Sequence, residues 1–169
     1  NRQYQNHLEE MVASQVAEMT RMQDEVITGI ANLIESRDGS TGLHVKNTQN
    51  YVQILTKALR EKGMYPDILD HNYELNTVKA SVLHDIGKIK TPDAILLKPG
   101  RLTDEEFEVM KQHTVAGCEI IDRIIGNVEH EEYVDIARKI ARYHHERWDG
   151  TGYPDGLSGE EIPLCARIM

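Results

Sequence analysis

Six side chains in this sequence are of the types that hold catalytic metal ions: His44, His84, Asp85, His113, His144 and His145. On a helical scaffold, imidazoles and carboxylates from several helices converge on one interior point to make such a site. Adjacent helical residues are splayed by about 100°, so a pair such as His144-His145 suits two ions better than one. The same holds for His84-Asp85, and the two carboxylate oxygens would let Asp85 bridge a pair of metals. A two-metal site clamps the attacking and departing oxygens of a phosphoester, so the chemistry indicated is phosphoester hydrolysis. Ligation this rich in imidazole favours iron, manganese, zinc or nickel over magnesium alone. Metal charge, with Lys88, Lys90, Lys98 and Arg101 close by in sequence, would draw an anionic substrate to an otherwise acidic chain. Each residue is weak evidence singly; the combination carries the reading.

The elements that must position these residues read as helices. The chain has 169 residues, 40% hydrophobic and 28% charged, enough for one domain with a sizeable core and some extra length. Residues 8 to 33 carry a near-heptad pattern, Leu8, Val12, Gln15, Met19, Met22, Val26, Gly29 and Leu33, flanked by Glu9, Glu10, Glu18, Arg21, Asp24 and Glu25. This predicts a long amphipathic helix able to form a two-stranded coiled coil and hence a homodimer. The alternative is a long first helix packed on its own domain; a seam this narrow favours the dimer. After Glu35 the Gly, Ser and Asp content of residues 36 to 42 predicts a loop, and we place the boundary between residues 1–34 and 35–169. Helical patterns follow over roughly 43–62, 73–86, 103–112, 114–125 and 131–145, with Thr103 and Glu106 as a capping box and a further helix starting near Leu164 after Pro163. No strand pattern competes, so the expected fold class is all-α. Residues 151–161 form the one long irregular loop.

Composition excludes some functions. With 28 acidic against 19 basic residues the net charge is -9, which repels duplex DNA. No apolar run approaches the roughly 20 residues that span a bilayer, and no signal peptide opens the chain. Cys118 and Cys165 form no CxxC, so neither a disulfide framework nor a zinc ribbon is indicated; both read as small buried hydrophobes, and a reducing cytoplasm fits best.

Taken in order, the motifs resemble those of the HD-GYP domain, a subgroup of the HD metal-dependent phosphohydrolases. They are Thr41-Gly42-Leu43-His44, His84-Asp85-Ile86-Gly87-Lys88, Lys98-Pro99-Gly100-Arg101-Leu102-Thr103 running to His113, His144-His145 leading to Gly152-Tyr153-Pro154, and Ile162-Pro163-Leu164-Cys165-Ala166-Arg167-Ile168. The likeness covers residues 35 to 169 in unbroken order. By random composition Gly-Tyr-Pro is expected only about 0.015 times in such a chain.

The resemblance implies an HD-type helical bundle that hydrolyses cyclic-di-GMP to the linear dinucleotide pGpG, to GMP, or to both. It implies a binuclear centre, iron or manganese first and zinc, nickel or magnesium after them. His44, His84 and Asp85 would hold one metal; Asp85, His113, His144 and His145 would hold the second. Lys88 would meet the scissile phosphate as a bound cation rather than a base. Gly152, Tyr153 and Pro154 would shape the substrate pocket, Tyr153 offering a face for guanine. A sensor or receiver domain is expected upstream. The chain opens at Asn1 and stops at Met169, so both ends read as cuts in a longer protein whose C-terminal helices carry a further Asp ligand. Some relatives hold a third metal through a Glu four residues before the first His; Ser40 stands there, so two metals are expected, with Asp38 a weaker substitute.

The other residues are less informative. His7, His71 and His130 read as surface residues, and Trp148 as either pocket wall or core anchor. Two readings compete with the enzyme: a non-catalytic nucleotide-sensing or protein-docking module, and an HD phosphohydrolase acting on another cyclic dinucleotide or a monoester. The complete ligand set counts against the first and Gly152-Tyr153-Pro154 against the second.

Overall fold

Apolar residues at helical spacing dictate a bundle, and the computed structural model, which describes residues 2–39, 43–126 and 131–169, is one. Its helices are α1 (Arg2–Glu35), α2 (Leu43–Glu61), α3 (His71–Ala80), α4 (Asp93–Leu96), α5 (Asp104–Ile125), α6 (Glu131–Tyr143) and α7 (Leu164–Ile168). No strand forms among the described residues, and a single bridge joins Asp149 to Ser158. Residues 40–42 and 127–130 lie outside the description, so Thr41 and Gly42, the Ser40 position and the surface assignment of His130 are not addressed by it.

Helix α1 presents two apolar faces. Ile27, Ala31 and Ile34, at i, i+4 and i+7, enter the main core, and Lys79 ties the helix to α3 through Asp24 at 2.9 Å. The heptad face is turned about 100° away. It stays open, with Met19 and Met22 60% exposed and Leu33 70%. The helix extends six residues beyond the expected Leu8 start, to Arg2.

The core is built where α6 lies on α3 and α5. Val134, Ile136, Ala137, Ile140 and Ala141 of α6 are buried with Ala80, Val82, Leu83, Ile86, Ile121 and Cys165. A second cluster, Val52, Leu69, Leu164 and Ile168, seats α7 against α2. Cys165 is fully buried and Cys118 half-buried; both are free thiols. His71 and His7 are exposed, and Trp148 is 65% exposed and so is no core anchor.

Local signals set most ends. Asp70 caps α3 by accepting from the Tyr73 amide at 2.7 Å. At α5, Thr103 and Glu106 form the expected capping box, and Asp104, Glu105 and Glu106 put negative charge on the positive end of the helix dipole. Two expectations are corrected. The segments 103–112 and 114–125 are one helix, because neither proline nor glycine interrupts residues 112–115 and Thr114 returns its hydroxyl to the Lys111 carbonyl. The segment 73–86 is helical only to Ala80; it then tightens into 3-10 turns at Ser81–Leu83 and Ile86–Lys90.

Gly87 allows that last turn to lie against α5. A Cβ there would sit 1.8 Å from the His113 carbonyl oxygen and 2.5 Å from the Gly117 amide nitrogen, both backbone atoms that cannot yield. Gly87→Ala is therefore expected to lower the unfolding free energy by about 3 kcal/mol or more in urea titration, the upper range for overpacking. Gly29→Ala, with nothing within 4 Å of its added methyl group, should be tolerated.

Candidate metal centre

Asp85 stands where α3 and its 3-10 extension end, and three histidines turn toward it. His84 Nδ1 donates to the Ser81 carbonyl at 2.9 Å, His113 Nδ1 to Met110 at 2.7 Å, and His144 Nδ1 to Ile140 and Ala141 at 3.0 and 3.1 Å. A carbonyl oxygen only accepts, so Nδ1 carries a proton in each ring, and in the neutral imidazole each Nε2 presents a lone pair. These Nε2 atoms meet the carboxylate: His84 at 3.0 Å from Oδ2, His113 at 3.3 Å and His144 at 3.6 Å from Oδ1. His113 and His144 approach each other, Nε2 to Nε2, at 3.4 Å. Among the described residues the buried Oδ1 receives no hydrogen bond.

Two further carboxylates close the site. Lys88 Nζ lies 2.9 Å from Asp85 Oδ2, 2.8 Å from Asp38 Oδ2 and 3.6 Å from Glu35 Oε1. Glu35, at the end of α1, is only 2% exposed. The ligand atoms of Glu35, His44, His84 and Asp85 lie within 4.8 Å of one another, and so do those of Asp85, His113, His144 and His145. Converging lone pairs and three carboxylates around one ammonium form an electron-rich pocket, and the donor set of imidazole and carboxylate fits divalent transition ions. The Nδ1-to-carbonyl bonds supply the outer contacts that orient metal-ligating histidines.

Without a metal the pocket balances its own charges: burial would lower His84, but Asp85 outweighs that and raises it. Burial alone would raise the Asp85 carboxyl, but contacts from His144, His84 and Lys88 outweigh it and hold it far below the usual range. Burial would lower Lys88, but Asp85 and Asp38 outweigh that and raise it, so this ammonium stays charged. His145 is pushed down to about 3 by burial and by the facing His144 and His113. Tyr153 is pushed up to about 12, chiefly by burial.

Of the sequence-based candidates, His84, His113, His144 and His145 surround the Asp85 carboxylate, and exposed His44 joins through the Glu35 group, its ring 5.7 Å from that of His84. Three expectations differ in detail. His144 and His145 fall just past the end of α6, so the helical splay that argued for separate ions does not bind them, and both face the Asp85–His113 group. Lys90 and Lys98 are ion-paired with Glu119 and Glu106. Tyr153 already stacks one face on His145, with centroids 4.6 Å apart and planes at 22°, while Phe107 meets its ring edge to face and Lys111 lies 5.9 Å above it.

In the Gly152-Tyr153-Pro154 turn, Gly152 packs against backbone. An added Cβ would lie 2.4 Å from the Arg147 nitrogen and 2.6 Å from the His145 carbonyl oxygen, and Tyr153 donates its amide to that same oxygen at 3.2 Å. The Tyr153–Pro154 bond is cis. Glu35 is the residue that sequence reasoning missed. Its one signal was an acid directly following the apolar pair Leu33-Ile34.

The profile of the HD domain family matches residues 6–169. The chain is 44% identical over 155 residues to a cyclic di-GMP phosphodiesterase of Vibrio cholerae serotype O1, a match covering 90% of this chain and 31% of that protein. It is 36% identical over 163 residues to the cyclic di-GMP phosphodiesterase response regulator RpfG of Xanthomonas campestris pv. campestris, covering 96% and 39%. A 3'3'-cGAMP-specific phosphodiesterase 2 of V. cholerae is 36% identical over 144 residues, covering 85% and 25%. The chain thus spans well under half the length of these relatives. It belongs to the HD domain family, in the HD-GYP group that its motifs resemble.

The depressed His145 gives a pH test on metal-free protein. The unfolded chain takes up a proton at His145 near pH 6.5 while the folded one resists it down to about 3. Stability from this group is therefore full above 6.5 and lost as pH falls toward 3. Urea midpoints measured across that window should fall more steeply for the parent chain than for His145→Gln.

Proposed function

We propose that the chain is the catalytic part of a metal-dependent phosphodiesterase that hydrolyses cyclic-di-GMP to linear pGpG, GMP or both. The observation that carries this reading is the convergence of three Nε2 lone pairs on the two oxygens of Asp85. His44, His84 and Asp85, joined by Glu35, would hold one metal. Asp85, His113, His144 and His145 would hold the other, with Asp85 bridging. Iron or manganese is the first choice, with zinc, nickel and magnesium after them. Bound metals would supply Lewis acidity and a nucleophile at neutral pH.

The chain's own residues then do the rest. Lys88, permanently charged, meets the scissile phosphate and offsets charge as the leaving oxygen departs; it has no lone pair with which to take a proton. Tyr153, braced by His145 and Phe107, walls the pocket, and Gly152 and Pro154 hold it there. Lys111 lies over the same wall. The substrate is supported by relatives named for cyclic di-GMP. Relatives named for 3'3'-cGAMP make that dinucleotide the second reading.

Residues 1–34 would act as the signalling and dimerising helix, following a sensor or receiver domain; one relative is named a response regulator. The open heptad face of α1 supports it. No helix among the described residues is long and apolar enough to cross a membrane. The two free cysteines support a reducing cytoplasm as the compartment.

The test uses protein purified without oxygen, loaded with iron or manganese, and mixed with cyclic-di-GMP or 3'3'-cGAMP while products are resolved by chromatography. Turnover of cyclic-di-GMP is expected, lost with Asp85→Ala and reduced about 100-fold or more with Lys88→Ala. Binding without turnover would favour a sensor module, and preference for 3'3'-cGAMP the second reading. Separately, the dimer is expected in sedimentation equilibrium. Met19→Glu with Val26→Glu should weaken it about 100-fold, since each charge placed in an apolar seam costs about a factor of ten or more.

A further inference from the structure

The backbone of Lys88 is held from outside its own turn. The 3-10 turn Ile86–Lys90 closes with the Thr91 amide donating to the Lys88 carbonyl at 3.0 Å, and the carbonyls at its end have a second lone pair for a further donor. Arg37, in the turn that leaves α1, supplies donors to them: Nη1 lies 3.2 Å from the Lys88 oxygen and 3.3 Å from that of Ile89, and Nη2 lies 3.4 Å from that of Thr91. The same Nη2 is fixed by Asp93 Oδ1 at 2.6 Å, at the start of α4. The next residue, Asp38, takes the Lys88 ammonium at 2.8 Å, and Glu35 lies 3.6 Å from it. One four-residue stretch, 35–38, thus grips Lys88 at its carbonyl and at its nitrogen.

We infer that Arg37 is a positioning residue that sets Lys88 for catalysis and makes Lys88 sensitive to the seating of α1. This rests on the reading of Lys88 as the phosphate contact. The planar guanidinium spans several carbonyls at once, which a lysine at the same place would not do. A four-carbon side chain fixed at both ends needs no search when phosphate arrives, and a 1 Å misplacement of such a group costs on the order of 100-fold in rate. Because Ser36–Asp38 continues directly from α1, a shift of that helix moves Arg37 and Asp38 together.

The test is a cycle of Arg37→Ala and Lys88→Ala in the metal-loaded chain, reading kcat, KM, metal content and melting temperature. Arg37→Ala is expected to lower kcat about 10-fold to 100-fold, with KM within about 3-fold and metal content unchanged. In the Lys88→Ala background it should add less than about 2-fold, because residues acting through one another are not additive. Arg37→Lys should restore only part of the loss. Should Arg37→Ala not fold, Asp93→Ala, at an exposed position, loosens the same guanidinium and should give a smaller kcat loss that also vanishes in Lys88→Ala. Full additivity, or a kcat loss that follows metal loss, overturns the inference. Wild-type turnover in Lys88→Ala overturns the reading beneath it and the inference with it, and so separates the two failures.

Discussion

Everything at the site depends on where three imidazole protons are kept. His84, His113 and His144 each give Nδ1–H to a carbonyl three or four residues earlier, a bond that the helical backbone provides without added structure. This locks ring orientation and tautomer together, and three Nε2 lone pairs then face a carboxylate that is itself buried. Alone, such an array is repulsive in a low-dielectric interior, and only a proton or a metal cation relieves it. The fold must therefore supply the stability that this pocket lacks, and it does so through α6, whose buried face contains no charged side chain.

The three histidines come from the 3-10 turn after α3, the middle of α5 and the residue just past α6, so their convergence requires these elements to approach very closely. Two glycines make that approach. Gly87 sets the turn bearing Asp85 and Lys88 against the His113 carbonyl, and Gly152 sets the following loop against the backbone of His145 to Arg147. In both cases the absent Cβ matters, since neither residue has a positive φ. The Gly-Tyr-Pro turn also braces the histidine cluster: Tyr153 donates its amide to the His145 carbonyl and stacks on its ring, so the loop stiffens that imidazole.

What could be read from the sequence was what local chemistry encodes. The capping box at Thr103 and Glu106, the start of α7 after Pro163 and the helical periods behind the all-α class act over a few residues, and the structure carries them. The failures share a different cause. The helical pattern divides residues 103–125 at His113, yet no breaker residue stands there, and mid-helix is where its Nε2 reaches Asp85. The tightening of the chain after Ala80 leaves no composition signal, because it arises from the demand that Asp85 point inward. Glu35 was invisible for the same reason. An acid at the end of an acidic helix resembles its solvated neighbours until tertiary packing encloses it.

The helix that delivers Glu35 also carries the open heptad face, and these two properties constrain each other. Ile27, Ala31 and Ile34 fix the rotation of the last turns of α1 on the core, which puts Glu35 and Asp38 beside Lys88 and leaves Val26 and Leu33 outward. A helix is stiff over this length, so twisting it at its exposed seam must either turn the buried face against the 3-10 turns that carry Val82, Leu83 and Ile86 or unwind the 3-10 turn at Ser36–Asp38. Close-packed methyl groups resist the first far more than a three-residue turn resists the second. The compliant point between helix and domain therefore coincides with the residues that hold Lys88. A structure so arranged passes strain in α1 to Glu35, Asp38 and the Lys88 ammonium before it reaches His84, His113 and His144, which are anchored by their own backbone carbonyls.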